Sequence, residues 1–409
     1  MERNDPRYQA YVEILKEELI PAMGCTEPIA LAYAAAKARE VLGVLPDSVQ
    51  LQVSGSIIKN VKSVIVPNTG HLKGMEAAVA AGIIAGSAEK ELEVISEVSE
   101  EKKSAIRDYL QTVPITIEHT EQGHVFDIVV TERCGQDYAR VRIADYHTNI
   151  CRIERNGTVL YEVPLLDETV QEDARADRSL LNMQDIWDFA ETADLRDVAD
   201  LLERQIRYNN AIAEEGLLGD YGANIGRVLL TTYGNDVSNR AKAKAAAGSD
   251  ARMNGCELPV IINSGSGNQG ITCSVPLIEY AKELHSGKEK LYRALIISNL
   301  VAIHEKTGIG TLSAYCGAVS AGAGAGAGIV YLCGDGYQAA IHTVVNALAI
   351  VSGIVCDGAK ASCAAKIASS VDAALLGYNM YKCNQEFKGG DGIVTVSYTH
   401  LRAHETSQD

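Results

Sequence analysis

The chain has 409 residues and a net charge of −16, and it contains no long basic run, which argues against nucleic-acid binding. A chain of this length forms one large or two ordinary domains. Ten cysteines without a secretory signal peptide indicate a reducing, cytoplasmic setting, where cysteines more often bind metals or catalyse than form disulfides.

The first predicted elements are two helices separated by a break near residue 24. Apolar residues at helical spacing occupy 6–20, and a second helix begins near Pro28, which is tolerated in a first turn. Cys25, Thr26 and Glu27 therefore lie at a helix N-terminus, where backbone N–H groups and the helix dipole favour a thiolate and lower its pKa. Cys25 is thus a candidate nucleophile or base. The alternative is that Thr26 is an ordinary N-cap and Cys25 only packs in the core.

Residues 48–165 form a predicted α+β segment. Alternating apolar and polar residues over 48–66 predict a strand, and 113–154 contains further strand-like stretches. Between them, a glycine-containing loop that precedes a helix carries four polar side chains: Asn68, Thr69, His71 and Lys73. Such a loop suits an anion such as a carboxylate, although a polar turn is the simpler interpretation of any single residue.

Two further groups of polar residues are candidates for binding a substrate. His147 ends a predicted strand, where a lone histidine is more often structural than functional. From residue 166 onward the pattern is mainly helical, and a loop rich in glycine and serine follows a short apolar run. That loop carries Ser264, Ser266 and Asn268, whose side chains could hold a carboxylate or an amine. It lacks the GxxxxGK[ST] pattern, so it is not a P-loop.

Three cysteines near the C-terminal end stand beside glycine or alanine: Cys316, Cys356 and Cys363. Thiolates among small side chains suit an iron–sulfur cluster, and three of them would leave one iron open for chemistry. The spacing does not distinguish iron–sulfur from zinc, and buried apolar packing explains free cysteines equally well. Seven helical residues span about 10 Å, so we expect a turn at Asp357–Gly358 and Cys363 in the following helix.

Residues 308–334 contain no Asp, Glu, Lys or Arg, a pattern that also occurs in membrane spans. The stretch consists mostly of Gly, Ala, Ser and Thr, with few large apolar side chains. We therefore expect a buried, tightly packed helix pair and no membrane association.

Several long motifs, in order, resemble the L-cysteine desulfidase family. This is a serine dehydratase-like alpha-chain family of the UPF0597 type, related to the iron–sulfur L-serine dehydratases. The motifs are GCTEPIALA (24–32), VPNTGHLKGMEAAVAAGIIAG (66–86), INSGSGNQGITCSVP (262–276), LSAYCGAV (312–319) and GIVCDGAKASCAAKIA (353–368). The resemblance covers roughly residues 5–394.

The resemblance implies a [4Fe-4S] cluster bound by Cys316, Cys356 and Cys363, with Cys25 as the proton acceptor. The implied reaction is a non-redox β-elimination without pyridoxal phosphate, in which L-cysteine yields sulfide, ammonia and pyruvate. An L-serine dehydratase with the same cluster is one alternative, and a non-catalytic iron–sulfur or redox-sensing protein is the other. The residues predicted to bind the substrate are Thr26, Glu27, Asn68, Thr69, His71, Lys73, His147, Ser264, Ser266 and Asn268.

The predicted fold is α+β, with a large, mainly helical domain that carries the iron–sulfur site and a smaller inserted α+β domain. Residues 1–47 and 166–394 form the helical domain, and 48–165 form the insertion. The polar stretch 395–409 does not continue the apolar pattern, so we expect a non-native tail there. The expected partner is a small amino-acid substrate, and the acidic surface is compatible with a homo-oligomer.

Overall fold

A computed structural model describes residues 1–120, 124–163, 175–310 and 313–394, so the predicted tail at 395–409 lies outside the described residues. The α-helices, labelled in chain order, are α1 (Pro6–Glu18), α2 (Thr26–Leu42), α3 (Gly55–Val61), α4 (Gly74–Ala85), α5 (Glu100–Thr112), α6 (Met183–Thr192), α7 (Ala199–Leu218), α8 (Ile225–Tyr233), α9 (Val237–Met253), α10 (Gly267–Glu283), α11 (Lys288–Ile309), α12 (Gly317–Cys333), α13 (Tyr337–Val351) and α14 (Cys363–Lys382). The strands are β1 (Pro21–Met23), β2 (Ser48–Val53), β3 (Ile115–His119), β4 (Asp127–Cys134), β5 (Asp137–Ala144), β6 (Ile150–Arg155), β7 (Thr158–Glu162) and β8 (Pro259–Ile261). The predicted α+β class with mainly helical content is confirmed.

Six strands form one mixed sheet in the order β3-β2-β4-β5-β6-β7. The β2–β3 pair is parallel and the other pairs are antiparallel. Along β2 the alternation of the sequence is matched by alternating burial, with Val49, Leu51 and Val53 in the core. All six strands lie in the segment predicted to be α+β.

The strand predicted over 48–66 is wrong beyond residue 53. Helix α3 follows β2 at once and buries Ile57, Asn60 and Val61. These residues are three or four positions apart, so the apolar side chains suit a helix as well as a strand. The β-branched residues favoured the strand prediction, but packing against the core decides the outcome.

Helix α12 lies at the centre of the helical part, against α10, α11, α13 and α14. Its alternating glycines allow the close approach: a Cβ at Gly324 would overlap the Ser298 carbonyl of α11, and a Cβ at Gly322 would lie 2.8 Å from the Ser370 backbone of α14. The charge-free stretch 308–334 thus covers the end of α11 and the whole buried α12. Every helix in the described part of the chain falls short of the length and apolarity that a membrane crossing requires.

A second, two-stranded sheet determines where the cavity described below forms. Strand β1 pairs antiparallel with β8, although more than 200 residues separate them in the chain. The pairing places the N-terminus of α2 beside the loop that follows β8. Helix α2 also packs on β4 and β5, and one continuous apolar cluster includes residues of both the sheet and the helices. The predicted domain boundaries therefore stay predictions.

Candidate functional site

A cavity of about 120 Å³ lies where the N-terminus of α2, the β5–β6 turn, the loop after β8 and the cysteine segments meet. Ten of the residues predicted from the sequence line it: Cys25, Thr26, Glu27, His147, Ser264, Ser266, Asn268, Cys316, Cys356 and Cys363. They come from five separate parts of the chain. The fold therefore brings together groups that the sequence shows only as isolated candidates.

Cys25 is the N-cap of α2, and its thiol donates a hydrogen bond to Glu27 Oε2 over 2.9 Å. Glu27 Oε1 accepts from Asn60 Nδ2 at 2.8 Å, so both carboxylate oxygens are engaged. The Thr26 hydroxyl lies 3.2 Å from Glu27 Oε2 and 3.0 Å from the Gly265 carbonyl, to which it can donate. The buried start of α2 is thereby linked to the loop after β8.

The prediction that the helix N-terminus lowers the Cys25 pKa is wrong. Burial, followed by the charge of Glu27, raises the pKa of this thiol well above its ordinary value. Burial also acts to raise the pKa of Glu27, but the charge of His147, the hydrogen bond from Cys25 and the charge of Arg252 outweigh it and lower that pKa. The pair therefore rests as a thiol and a carboxylate.

His147 is brought to the cavity by the turn between β5 and β6. Its ring packs edge-on against Phe126 with the centroids 4.6 Å apart, and the side chain is 8% exposed. Burial lowers the pKa of the imidazole, and the nearby charge of Glu27 acts in the opposite direction without outweighing it. Within the described residues, His147 Nε2 has no hydrogen-bond partner. A ring nitrogen is therefore open to a ligand.

Backbone hydrogen bonds and two helix starts hold the three predicted cluster ligands in place. The Cys316 N–H donates to the Ile354 carbonyl at 3.1 Å, and the Cys356 N–H donates to the Ala314 carbonyl at 2.7 Å. Cys316 is the N-cap of α12, and Cys363 is the first residue of α14, so Cys363 lies in the helix that follows Cys356, as predicted. The turn before that helix is at 361–362 and not at Asp357–Gly358, where it was predicted.

The three cysteines share one cavity, as ligands of one iron–sulfur cluster would have to. The described residues contain no group of three or more His, Cys, Asp or Glu side chains arranged to hold a metal ion. In a cluster, however, each thiolate binds a different iron, so the thiols surround a shared space. Cys316, Cys356 and Cys363 line one cavity in this manner, and three soft thiolate donors are the set that iron–sulfur clusters select.

Several cavity residues were missed by sequence reasoning. They include Asn60, Arg252 and Lys306. Burial lowers the pKa of the Lys306 ammonium to about 8. Arg252 is 3% exposed at the end of α9, and its Nη1 donates to Asn268 Oδ1 at 3.2 Å. The only signal for Arg252 in the sequence is one charged residue after an alanine-rich helical run.

The structure does not bring the loop before α4 into this cavity. Asn68 Nδ2 donates to the Ile95 carbonyl at 2.8 Å, and the Thr69 hydroxyl donates to the Val66 carbonyl at 2.7 Å. His71 and Lys73 are exposed. In this geometry, Asn68 and Thr69 hold the turn together. The substrate-binding role predicted for the four residues stays a prediction.

Comparison with known proteins places this geometry in a family context. Residues 89–409 match the family model described as serine dehydratase alpha chain. A UPF0597 protein of Desulfitobacterium hafniense is 61% identical over 394 residues, which is 96% of this chain and 91% of the relative. UPF0597 proteins of Lachnoclostridium phytofermentans and Treponema denticola are 53% and 47% identical, over 95% and 96% of this chain and 92% of each relative.

Proposed function

The chain belongs to the serine dehydratase alpha-chain family, and we propose that it is a carbon–sulfur lyase, an L-cysteine desulfidase. The proposed reaction is the β-elimination of L-cysteine to sulfide and aminoacrylate, which water then converts to pyruvate and ammonia. The proposed setting is the reducing cytoplasm. The reaction needs no net oxidation or reduction.

One observation carries the proposal: Cys25 lines the same cavity as Cys316, Cys356 and Cys363. The Cys25 thiol donates a hydrogen bond to the Glu27 carboxylate there. An elimination needs a base for the Cα proton and an acid for the leaving group. This cavity contains candidates for both. A redox-sensing cluster protein has no need of a buried thiol–carboxylate pair beside the cluster.

The proposed proton steps start from the thiol and the carboxylate of the resting pair. Glu27 takes the Cys25 proton, and the thiolate formed takes the Cα proton of the substrate. The electrons of the Cα–H bond form the Cα–Cβ double bond, and the Cβ–S bond breaks with its electron pair on sulfur. A [4Fe-4S] cluster on Cys316, Cys356 and Cys363 would supply a Lewis-acidic iron to the leaving sulfur.

The loop after β8 orients the substrate in this proposal. Ser264, Ser266 and Asn268 line the cavity, and the Thr26 hydroxyl joins this loop to the residue next to Cys25. A substrate bound to the loop is thus held at a set position relative to the base.

The test is anaerobic reconstitution with iron and sulfide, removal of excess sulfide, and measurement of sulfide and pyruvate released from L-cysteine and from L-serine. We expect turnover of L-cysteine, and a loss of about 100-fold or more in kcat for Cys25→Ala with the visible absorbance of the cluster retained. Cys273→Ala is the matched control, because Cys273 is equally buried but packs with Ala302 and Ala321.

Other results would point to the alternatives. Pyruvate from L-serine alone would identify an L-serine dehydratase, which the name of the matching family model favours. An intact cluster with no turnover of either substrate would contradict both enzymatic proposals and favour an iron–sulfur binding protein. Equal activity of Cys25→Ala and Cys273→Ala would remove Cys25 from the mechanism.

A further inference from the structure

Arg252 introduces a positive charge into the wall of the cavity that the elimination steps do not use. The side chain is 3% exposed and lines the cavity together with Cys25 and Glu27. Within the described residues, its only hydrogen bond goes to Asn268 Oδ1, and its Nε has no partner. A guanidinium has five N–H donors, so most of this group is free to donate.

A buried, largely unpaired guanidinium carries a free-energy cost that an anionic ligand would offset. Glu27 contributes to the electrostatics of Arg252 but forms no ion pair with it in the described part of the chain, because its oxygens accept from Cys25 and Asn60. A Cβ at Gly267 would overlap Arg252 Nε, so glycine at that position lets the guanidinium pack closely against the backbone and holds it in the cavity wall. The free donors of Arg252 therefore suit a planar anion.

The cavity also has acceptors for a positive group. Asn60 Oδ1 and Gln269 Oε1 are buried there without a hydrogen-bond partner among the described residues. Each is an amide oxygen and can accept from an ammonium group. The cavity thus offers the N–H donors of Arg252 for an α-carboxylate, and the amide oxygens of Asn60 and Gln269 for an α-ammonium group. These are the two charged groups of a free α-amino acid.

We propose that Arg252 binds the α-carboxylate of the amino-acid substrate, with Asn268 positioning its guanidinium and with Asn60 and Gln269 accepting from the α-ammonium group. The inference deepens the proposed function and rests on it for the identity of the amino acid. A site of this kind selects free α-amino acids over amines that lack a carboxylate. Planar, bidentate recognition of a carboxylate is a property of arginine that lysine does not share.

The test compares binding of L-alanine, which has no β leaving group, with binding of ethylamine, the same molecule without its carboxylate. Calorimetry is run on the wild type, Arg252→Lys and Arg252→Met, each with and without reconstitution. We expect the wild type to bind L-alanine and not ethylamine. We expect Arg252→Met to weaken L-alanine binding about 100-fold, and Arg252→Lys to show an intermediate loss.

Kinetics and a matched control complete the design. The same variants should raise KM for L-cysteine more than they lower kcat. Arg240→Met is the control, since Arg240 lies on the same helix but pairs with Glu279 and Glu283. Thermal unfolding identifies variants that fail to fold. If Arg252→Met does not fold, folded Arg252→Lys, which keeps the charge but loses the planar fork, must still weaken L-alanine binding.

The outcomes separate this inference from the proposed function. If the wild type binds L-alanine through Arg252 but releases no sulfide from L-cysteine, the desulfidase proposal fails and the carboxylate site stands. If sulfide release is normal and folded Arg252→Met binds L-alanine as the wild type does, the role of Arg252 is overturned. Failure of the wild type to bind L-alanine at millimolar concentration would also overturn it.

Discussion

The Cys25 thiol and the Glu27 carboxyl form a buried pair that rests with the proton on sulfur. At the N-terminus of a helix, the dipole contributes typically 0.3–1 kcal/mol in favour of a nearby anion. Desolvating a thiolate costs more than this, and the carboxylate 2.9 Å away adds repulsion. The combination raises the thiol pKa and lowers the carboxyl pKa, so the proton stays on sulfur in the resting pair.

Asp250 shows the same effect of burial away from the proposed chemistry. Its side chain is fully buried, Oδ2 accepts from the Gly226 N–H at 3.2 Å, and Oδ1 has no partner among the described residues. Burial raises the pKa of this carboxyl to about 6. Because the folded-state pKa lies above the unfolded value, the stabilisation is complete below pH 4 and is lost as the pH rises through about 6.

Asp250→Asn should therefore stabilise the protein at pH 8 and have little effect at pH 4. The asparagine cannot ionise, and its side-chain oxygen can still accept from the Gly226 N–H. We expect an increase in the free energy of unfolding of about 1–3 kcal/mol at pH 8, measured by urea denaturation at both pH values. Asp108→Asn, at an exposed position of α5, is the control for the substitution itself and should change the free energy of unfolding by no more than about 0.5 kcal/mol. A pH-independent effect of Asp250→Asn would contradict the assignment.

At the scale of elements, the packing of α12 against its neighbouring helices fixes the positions of two predicted cluster ligands. The helix begins directly after Cys316, and its glycines contact neighbouring helices on two sides: Gly324 lies against α11, and Gly322 lies against α14. Cys363 starts α14. The distances between these helices thus determine the distance between two predicted cluster ligands.

Gly324→Ala should destabilise the protein and reduce its iron content after reconstitution. Alanine favours a helix over glycine by up to about 1 kcal/mol, but a Cβ here overlaps the Ser298 carbonyl, and overpacking of a core costs about 1–3 kcal/mol. Because a backbone carbonyl within α11 cannot move aside, we expect the packing cost to be larger. Urea denaturation and iron assay measure both effects.

The control for this variant is Gly353→Ala, at an exposed position where a Cβ would meet nothing within 4 Å. It should change the free energy of unfolding by no more than about 0.5 kcal/mol. An unchanged or increased stability of Gly324→Ala would show that α11 and α12 can separate without cost.

At the scale of the whole molecule, the sheet and the helical part share one apolar core. The continuous cluster includes Leu51 and Val130 of the sheet and Ile296 and Val330 of the helices. Helix α2 packs on β4 and β5 with one part of its surface and presents Cys25 to the cavity at its N-terminus. A shared core of this kind favours cooperative unfolding.

We therefore expect the sheet and the helices to unfold in one transition. Fluorescence of Trp187, which lies in α6, reports on the helical part, and hydrogen exchange of the β4 and β5 amides reports on the sheet. Their midpoints in urea should coincide. A lower midpoint for the strands alone would instead support an independently folding unit at 48–165, as the sequence pattern predicted.

The amino-acid sequence by itself determined the family, the α+β class and the turn between Cys356 and Cys363. These properties depend on local periodicity, on motif spacing and on the length of a helical turn, which the sequence carries directly. It did not determine the end of the strand at residue 53, because Ile57 and Val61 suit either period. Only the tertiary structure decided that Arg252 joins the cavity, that the Asn68–Lys73 loop does not, and that the Cys25 pKa is raised. Burial and contacts between distant segments arise from packing, and the pairing of β1 with β8 that creates this cavity has no local signal in the chain.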